Sequence, residues 1–447
     1  MKDMTKGNPA RLIILFAIPL ICGTIFQQLY NLGDGKIVSM YLNKNAFAAV
    51  GMTAVISNTL IGLTNGFTQG FGILVSNCFG AKDMSRLRRC VAGSLFLTVL
   101  LILVLTAGSL AVIRPVLSLL DTPDDVMQYA LIYVRIIIGG IGFTTLYNLS
   151  ANLLRAIGDS RTPLYFLILS VILNLGTDLL FIGKLHMGIA GAAYATVLSQ
   201  IVCFLACLIF ILIRYRYILP RREDWAGLWK EIPGLFSTGL SMGLMGCIVN
   251  IGTIILQSGI NSLGSDIMAA HVAGRRIFDL TCILIYTFGI AMTTYTSQNT
   301  GAGQIDRVRR GVKDAILIVT VISAILVGVV FLISRPIISW LATTNDATIV
   351  DNGVMYCRIG VCFYFFLGPL FVLRCTLQGL GHKVAPLYSS ILELVLKILS
   401  VLYLVPRLNY LGVALTEPIS WVLMMIMLAI LYLYYIPKDA ARLQKPV

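Results

Sequence analysis

Long apolar runs alternate with short polar connectors from one end of the chain to the other. A helix needs about 20 mostly apolar residues to span the hydrocarbon of a bilayer. Twelve stretches meet that requirement: 11–42, 48–78, 90–114, 128–152, 162–183, 188–213, 232–262, 269–299, 312–336, 352–378, 385–406 and 411–436. No water in the hydrocarbon can satisfy backbone N–H and C=O groups, so these runs predict helices. The longest exceed the bilayer thickness and are expected to tilt or to project beyond it.

The pattern is written twice. Gly80-Ala81 with Arg86 and Arg88-Arg89 returns as Gly301-Ala302 with Arg307 and Arg309-Arg310, an offset of 301 − 80 = 221. Tyr133-Val134-Arg135-Ile136 returns as Tyr356-Cys357-Arg358-Ile359, and Pro163-Leu164-Tyr165 as Pro386-Leu387-Tyr388, both at 223. Six spans per half is an even number, so both halves enter the membrane in the same sense, as parallel repeats about the membrane normal do. The expected fold is an all-α integral membrane protein of twelve transmembrane helices in two six-helix bundles related by a pseudo-twofold axis. Residues 1–213 form the first bundle, 214–231 a cytoplasmic linker and 232–447 the second bundle. Gly158 to Pro163 and Gly381 to Pro386 each offer a helix-stopping Gly and a Pro suited to the next first turn. Arg114-Pro115 and Arg335-Pro336 read as loop punctuation at the outer ends of spans three and nine.

Composition supports the membrane reading. Hydrophobic residues make up 58% of the chain and charged ones only 12%, against roughly 45–50% and about 25% in soluble domains. The formal charge of +14 would suit nucleic acid, but its distribution does not. Most Lys and Arg lie in loops after even-numbered spans and at the termini, whereas the opposite side carries Asp121, Asp124, Asp125, Asp266, Asp346 and Asp351. By the positive-inside rule, both termini are cytoplasmic. The N-terminus has no cleavable signal pattern. The cysteines fall mostly within spans and without paired spacing, so neither a disulfide nor a metal site is expected. No nucleotide-binding loop of the Gly-x-x-x-x-Gly-Lys type is present, and no nucleophile constellation suggests an enzyme.

Ionisable residues inside spans are costly and therefore informative. Asp34 lies in span one, Asp178 in span five with Asn174 one helical turn before it, and Thr196 in span six. At about 1.5 Å per residue, Asp34, Asp178 and Thr196 fall in one layer, roughly 8–12 Å below the outer ends of their helices. Two poorly solvated carboxylates can exchange a proton; with amide and hydroxyl oxygens they can also ligate Na⁺. The competing reading is a structural polar cluster in which Lys36 neutralises Asp34. The second half holds Arg275, Arg276 and Asp279 in span eight, Glu393 and Lys397 in span eleven, and Glu417 in span twelve. Arg275–Asp279 and Glu393–Lys397 are i,i+4 pairs. Over Arg275, Arg276, Asp279, Glu393 and Lys397 the balance is net basic. Arg135 and Arg358 are repeat mates that either hold helices together or face a cavity. Aromatic and sulfur side chains, among them Tyr30, Tyr147, Met242 and Tyr286, together with Arg275, Glu393 and Lys397, are candidates for a substrate path. Met surfaces in particular adapt to ligands of many shapes.

The segment Gln28-Leu29-Tyr30-Asn31-Leu32-Gly33-Asp34, the run Gly158 to Pro163 followed by Asn174-x-x-x-Asp178, Gly188 to Thr196, and Gln298-Asn299-x-Gly301-Ala302 leading to Asp306-Arg307 resemble motifs of the multidrug and toxic compound extrusion transporters. The resemblance covers essentially the whole chain. It implies two bundles forming a V, alternating access, and export of small amphipathic organic compounds in exchange for H⁺ or Na⁺. It also implies a first-half cation site at Asp34, Asn174, Asp178 and Thr196. No cofactor or nucleic acid is implied; membrane lipids are the surroundings, the inner membrane the location and a monomer the expected state. A flippase for a lipid-linked precursor, from the wider superfamily, is the alternative. The chain departs from the motif at Gly35-Lys36, where an internal counter-ion to Asp34 could sit.

Overall fold

The computed structural model describes residues 3–342 and 346–444, apart from the side chains of Asn31, Leu32 and Gln444. Among the described residues every regular element is helical. The first half contains α1 (Pro9–Tyr41), α2 (Lys44–Gly80), α3 (Met84–Leu119), α4 (Asp124–Ala156), α5 (Arg161–Asp178) and α6 (Gly188–Arg214). A short helix α7 (Arg222–Gly227) lies in the linker. The second half contains α8 (Ile232–Asn261), α9 (Ser265–Gly301), α10 (Ile305–Ala342), α11 (Ala347–Cys362), α12 (Tyr364–Gly379), α13 (Val384–Leu399), α14 (Val405–Leu408) and α15 (Tyr410–Gln444).

Ten of these segments are long and apolar enough to cross a membrane singly, and α11 with α12 makes an eleventh, bent by 52°. The remaining apolar run, 385–406, falls on the continuous stretch from α13 to α14, interrupted only by a π-helical turn, Ser400–Leu404. The run at 352–378 was expected as one straight helix, and the break at Phe363 was not. Pro369 lacks the N–H that would bond the Phe365 carbonyl in the first turn after the break. Ser323 on α10 donates to the Tyr364 carbonyl at 3.2 Å, and the Tyr364 hydroxyl pairs with Thr281 Oγ1 on α9 at 2.7 Å, so the bend is held from two sides. Pro115 and Pro336 do not punctuate loops. Both lie inside helices, α3 continuing to Leu119 and α10 to Ala342. A proline near a helix end costs one hydrogen bond there and need not stop the chain.

The described residues fall into two compact units whose limits differ from the sequence halves. Unit 1 takes Cys22–Gly243, and unit 2 takes Asp3–Ile21 together with the chain from Leu244 onward. The first parts of α1 and α8 are therefore assigned to the opposite unit from the rest of each helix. In unit 2, Met4, Ile13, Phe16 and Leu20 are buried in the same apolar cluster as Tyr295 and Val308. The segment before α1 is gripped by the Gln298-Asn299…Arg307 motif. Gln298 Oε1 accepts from Met4 N–H at 3.0 Å, Asn299 Nδ2 donates to the Met4 carbonyl at 3.1 Å, and Arg307 Nη1 donates to the Gly7 carbonyl at 3.0 Å. Unit 1 does the same with the linker that leads into α8. Arg86, repeat mate of Arg307, pairs with Glu231 at 3.2 Å, and Arg88 pairs with Asp224 at 3.0 Å.

Close helix contact in unit 1 rests on small residues, as in membrane bundles generally. Gly66 and Gly70 on α2 face Gly243 and Gly239 on α8. A Cβ on either α2 glycine would stand 2.7 Å from the opposing Cα.

The short inner loops behave as the sequence indicates. Gly158 (φ 85°) and Gly381 (φ 92°) adopt the left-handed conformation that ends a helix, and Pro163 and Pro386 lie in the first turns of α5 and α13. Asp159 Oδ1 accepts the N–H groups of Arg161 and Thr162, and its Oδ2 accepts from the Tyr215 hydroxyl at 2.9 Å.

Candidate functional site

Asp178 ends α5, and a π-helical turn, Leu179–Lys184, follows it at once. Such turns recur at functional sites because the extra residue re-aims side chains and frees backbone groups. Asn174 and Asp178, one turn apart on α5, are both buried, at 1% and 0% exposure. The Asn174 amide, oriented by its neighbours, donates to Asp178 Oδ2 at 2.8 Å and accepts from the Thr196 backbone N–H at 3.2 Å. The same amide group lies 3.4 Å from the Thr196 hydroxyl. Thus α5 and α6 are joined through the candidate residues themselves.

From α1, the Asp34 carboxyl faces that of Asp178 closely enough for the two to interact as a pair. Among the described residues no basic side chain acts on either one. Lys36 is exposed and forms no ion pair with Asp34, which removes it as the internal counter-ion. Asp178 Oδ1 is buried and receives no hydrogen bond of normal geometry. Two adjacent carboxyls with no cationic partner cannot both stay ionised in such surroundings unless a cation joins them. The donor set of carboxylate, amide and hydroxyl oxygens suits a proton or a small hard cation such as Na⁺. Two tyrosines complete the layer. The Tyr30 hydroxyl bonds Thr196, and Tyr133 on α4 lies within electrostatic reach of both carboxyls.

Unit 2 holds a different arrangement. Arg275 on α9 pairs with Asp279 on its own helix and with Glu417 on α15, each at 2.9 Å. Lys397 on α13 pairs with Glu393 at 2.9 Å, and Glu393 also lies 3.8 Å from Arg374 on α12. Arg374 in turn donates to Ser389 at 3.0 Å. Three cations (Arg275, Arg374, Lys397) and three anions (Asp279, Glu393, Glu417) are thus tied by ion pairs. Arg276, though exposed, acts electrostatically on Asp279, so with Glu417 and Arg374 added the group counts four cations and three anions. His271 and Tyr410 pair beside it at 3.3 Å.

The remaining substrate-path candidates divide between the units, Tyr30, Tyr147 and Met242 in unit 1 and Tyr286 in unit 2, where it acts on Arg374. Tyr30 joins the carboxyl layer, whereas Tyr147 is buried in the unit 1 core and donates to the Pro163 carbonyl at 3.3 Å. Met242 is buried as well, and Tyr286 is exposed, edge-on to Phe371 at 5.3 Å. Arg135 is exposed; Arg358 donates to the Phe331 carbonyl at 3.1 Å and lies over its ring. Sequence reasoning missed Tyr133 and Arg374. Tyr133 opens a repeated Tyr-x-Arg-Ile motif, and Arg374 is a lone intramembrane cation, so each carried a signal of its own. Among the described residues no three His, Cys, Asp or Glu side chains group as metal ligands.

The MatE family model matches residues 19–180 and 242–402, one match in each half. The chain is 27% identical over 445 residues to the "Probable multidrug resistance protein YoeA" of Bacillus subtilis (strain 168), covering 96% of this chain and 94% of that one. It is also 27% identical over 394 residues to the "Probable multidrug resistance protein YpnP" of the same organism, covering 88% and 87%. A crystal structure of MATE in the bent conformation superposes with a TM-score of 0.91 at 23% identity, over 99% of this chain and 98% of that one.

Proposed function

The chain belongs to the MatE family, the multidrug and toxic compound extrusion transporters, and on that premise we propose that it exports amphipathic organic compounds across the inner membrane in exchange for H⁺ or Na⁺. The observation that carries this reading is the Asp34–Asp178 pair, half-buried and buried respectively, free of basic partners among the described residues and joined through Asp178 to Asn174 and Thr196. A cation entering the layer offsets the repulsion of the two carboxyls. An ion that binds one arrangement of the transporter more tightly than the other shifts the equilibrium between them, and linkage then couples it to substrate release. Alternating access by a monomer with both termini in the cytoplasm completes the proposal. Two relatives are named as probable multidrug resistance proteins, which supports small organic compounds as substrates. A lipid-pyrophosphate flippase would need a basic cavity, and the paired charges of unit 2 give that alternative no support.

The test is ethidium efflux from proteoliposomes with an imposed H⁺ gradient alone, a Na⁺ gradient alone, or neither. Efflux driven by one gradient supports the reading and identifies the ion. Equal rates under all three conditions overturn it.

A further inference from the structure

Each unit carries a π-helical turn at the same place in its repeat to within two residues, and the repeat offsets allow the two units to be compared residue by residue. The first begins at Leu179 and the second at Ser400, 400 − 179 = 221. Each is abutted by a glycine of the following long helix. A Cβ on Gly191 would lie 3.2 Å from the Phe181 carbonyl carbon, and one on Gly412 would lie 2.6 Å from the Leu404 carbonyl oxygen. Gly191, Ala193 and Ser199 thus match Gly412, Ala414 and Ser420, all at 221, which sets Glu417 opposite Thr196. On the preceding helix the offset of 223 sets Lys397 opposite Asn174 and Val401 opposite Asp178. Tyr356 stands opposite Tyr133, and Gln257 opposite Asp34 (34 + 223).

The layer that is acidic and lacks a cation of its own in unit 1 is therefore rebuilt in unit 2 around an ammonium group. Lys397 is 2% exposed, its stem passes close to Gly252 of α8, and its Nζ sits 2.9 Å from Glu393 Oε1. The Glu417 carboxylate on α15, itself bound to Arg275, feels the Lys397 charge. Burial of a long flexible lysine is costly unless its charge is matched; here two acids match it.

We infer that Lys397 is a tethered cation, standing in unit 2 where unit 1 takes up a mobile one. Unit 2 carries its own permanent counter-charge, so only the Asp34–Asp178 layer responds to the gradient. The second clause rests on the proposed role of that layer; the first does not. The groups that act directly on Lys397 are Glu393 on its own helix and Glu417 on α15; through these it is linked to Arg374 on α12, to Arg275, Arg276, Asp279 and His271 on α9, and to Tyr356 on α11. Without the ammonium, Glu393 Oε1 loses its partner at 2.9 Å, and only Arg374 remains, 3.8 Å from the other carboxylate oxygen. The site must then recruit a proton or a Na⁺ ion.

The test uses the purified full-length chain in detergent and reads Tm against Na⁺ concentration and pH, since a ligand that binds only the folded state raises Tm. The background is D34N/D178N, which silences the first layer. With Lys397 intact, or as K397R, the Tm of this background is expected to stay flat between low and high Na⁺ and between pH 8 and 6. K397M in the same background is expected to gain a rise of about 2–4 °C with Na⁺ or on acidification. A flat K397M profile overturns the inference. If K397M folds only at high Na⁺ or low pH, the inference stands; if it folds under no condition while K397R folds, an added cation cannot replace the tether and the inference fails. A slope in D34N/D178N with Lys397 intact would count against confining the gradient's effect to the first layer.

Discussion

Gly70 of α2 and Gly239 of α8 meet backbone to backbone: a Cβ on Gly70 would stand 2.7 Å from the Gly239 Cα. The neighbouring Gly66–Gly243 contact repeats this one turn away, so the crossing is fixed by four missing side chains. No rotamer change can relieve a clash with backbone. Gly70→Leu is expected to force the helices apart and to lower stability by about 1–3 kcal/mol or more. Gly108→Ala, at a glycine with open space around it, serves as the control. Thermal unfolding in detergent checks both, and an unchanged Tm for Gly70→Leu would contradict the packing.

Asp34→Asn and Asp178→Asn each remove one member of the facing carboxyl pair while keeping its volume. Either change is expected to reduce gradient-driven ethidium efflux to the rate of empty vesicles, with insertion and Tm close to those of the unaltered chain. A single neutral amide in the pair leaves one acid with nothing to share. Normal gradient-driven efflux in both variants would rule out the pair as the coupling site.

Arg307 ties the Gly7 and Met4 carbonyls and Asn299 Oδ1 into one cluster. Each hydrogen bond to a charged group contributes about 1.5–3 kcal/mol, so Arg307→Ala is expected to loosen the segment before α1. A cysteine placed at Thr5, which is buried, reports this by its reaction with a membrane-impermeant maleimide. At least a tenfold faster reaction (about 1.4 kcal/mol of opening) is expected in Arg307→Ala, and equal rates would show that the motif does not hold the segment.

Tyr215, just beyond α6, has its hydroxyl pushed well above the usual tyrosine range by burial and by the bond it donates to Asp159. A group raised on folding adds stability that is fully present below its unfolded value, about 10, and is lost only as pH rises above that. Tyr215→Phe is expected to cost about 1–3 kcal/mol at pH 7, with the difference from the parent narrowing above pH 10. A Tm gap that stays constant from pH 7 to 11 would disprove the assignment.

The spans were legible because hydropathy and segment length both reflect one physical constraint, the absence of water around the backbone. Observed helices cover the apolar runs to within a residue but run past some of them by a turn or two, as α10 (Ile305–Ala342) does at both ends of 312–336. The bend at Phe363 was not legible, since Pro369 alone does not say where a helix yields and the hydroxyls that hold the bend come from α9 and α10. Asp34, Asn174, Asp178 and Thr196 could be placed in one layer because helix rise converts sequence position into depth. Which side chains share that layer from other helices depends on helix rotation, which depth does not give, and so Tyr133 was missed. Glu417 illustrates the same limit. Its depth was visible, but its bond to Arg275 depends on how α9 and α15 turn toward each other.

The exchange of helix ends between the sequence halves constrains the order in which the chain can finish folding. Residues 3–21 are made before Cys22–Gly243 of unit 1, yet their apolar partners lie in α9, α10 and beyond. Unit 1 in turn is incomplete until Gly243 has been made, well past the linker. Unit 1 can thus close once Gly243 has been made, whereas unit 2 joins a stretch made before Cys22 to one made after Gly243. That segment waits for α9 and α10 before it is buried, and a chain severed in the linker would leave each fragment missing a helix end that only the other one carries.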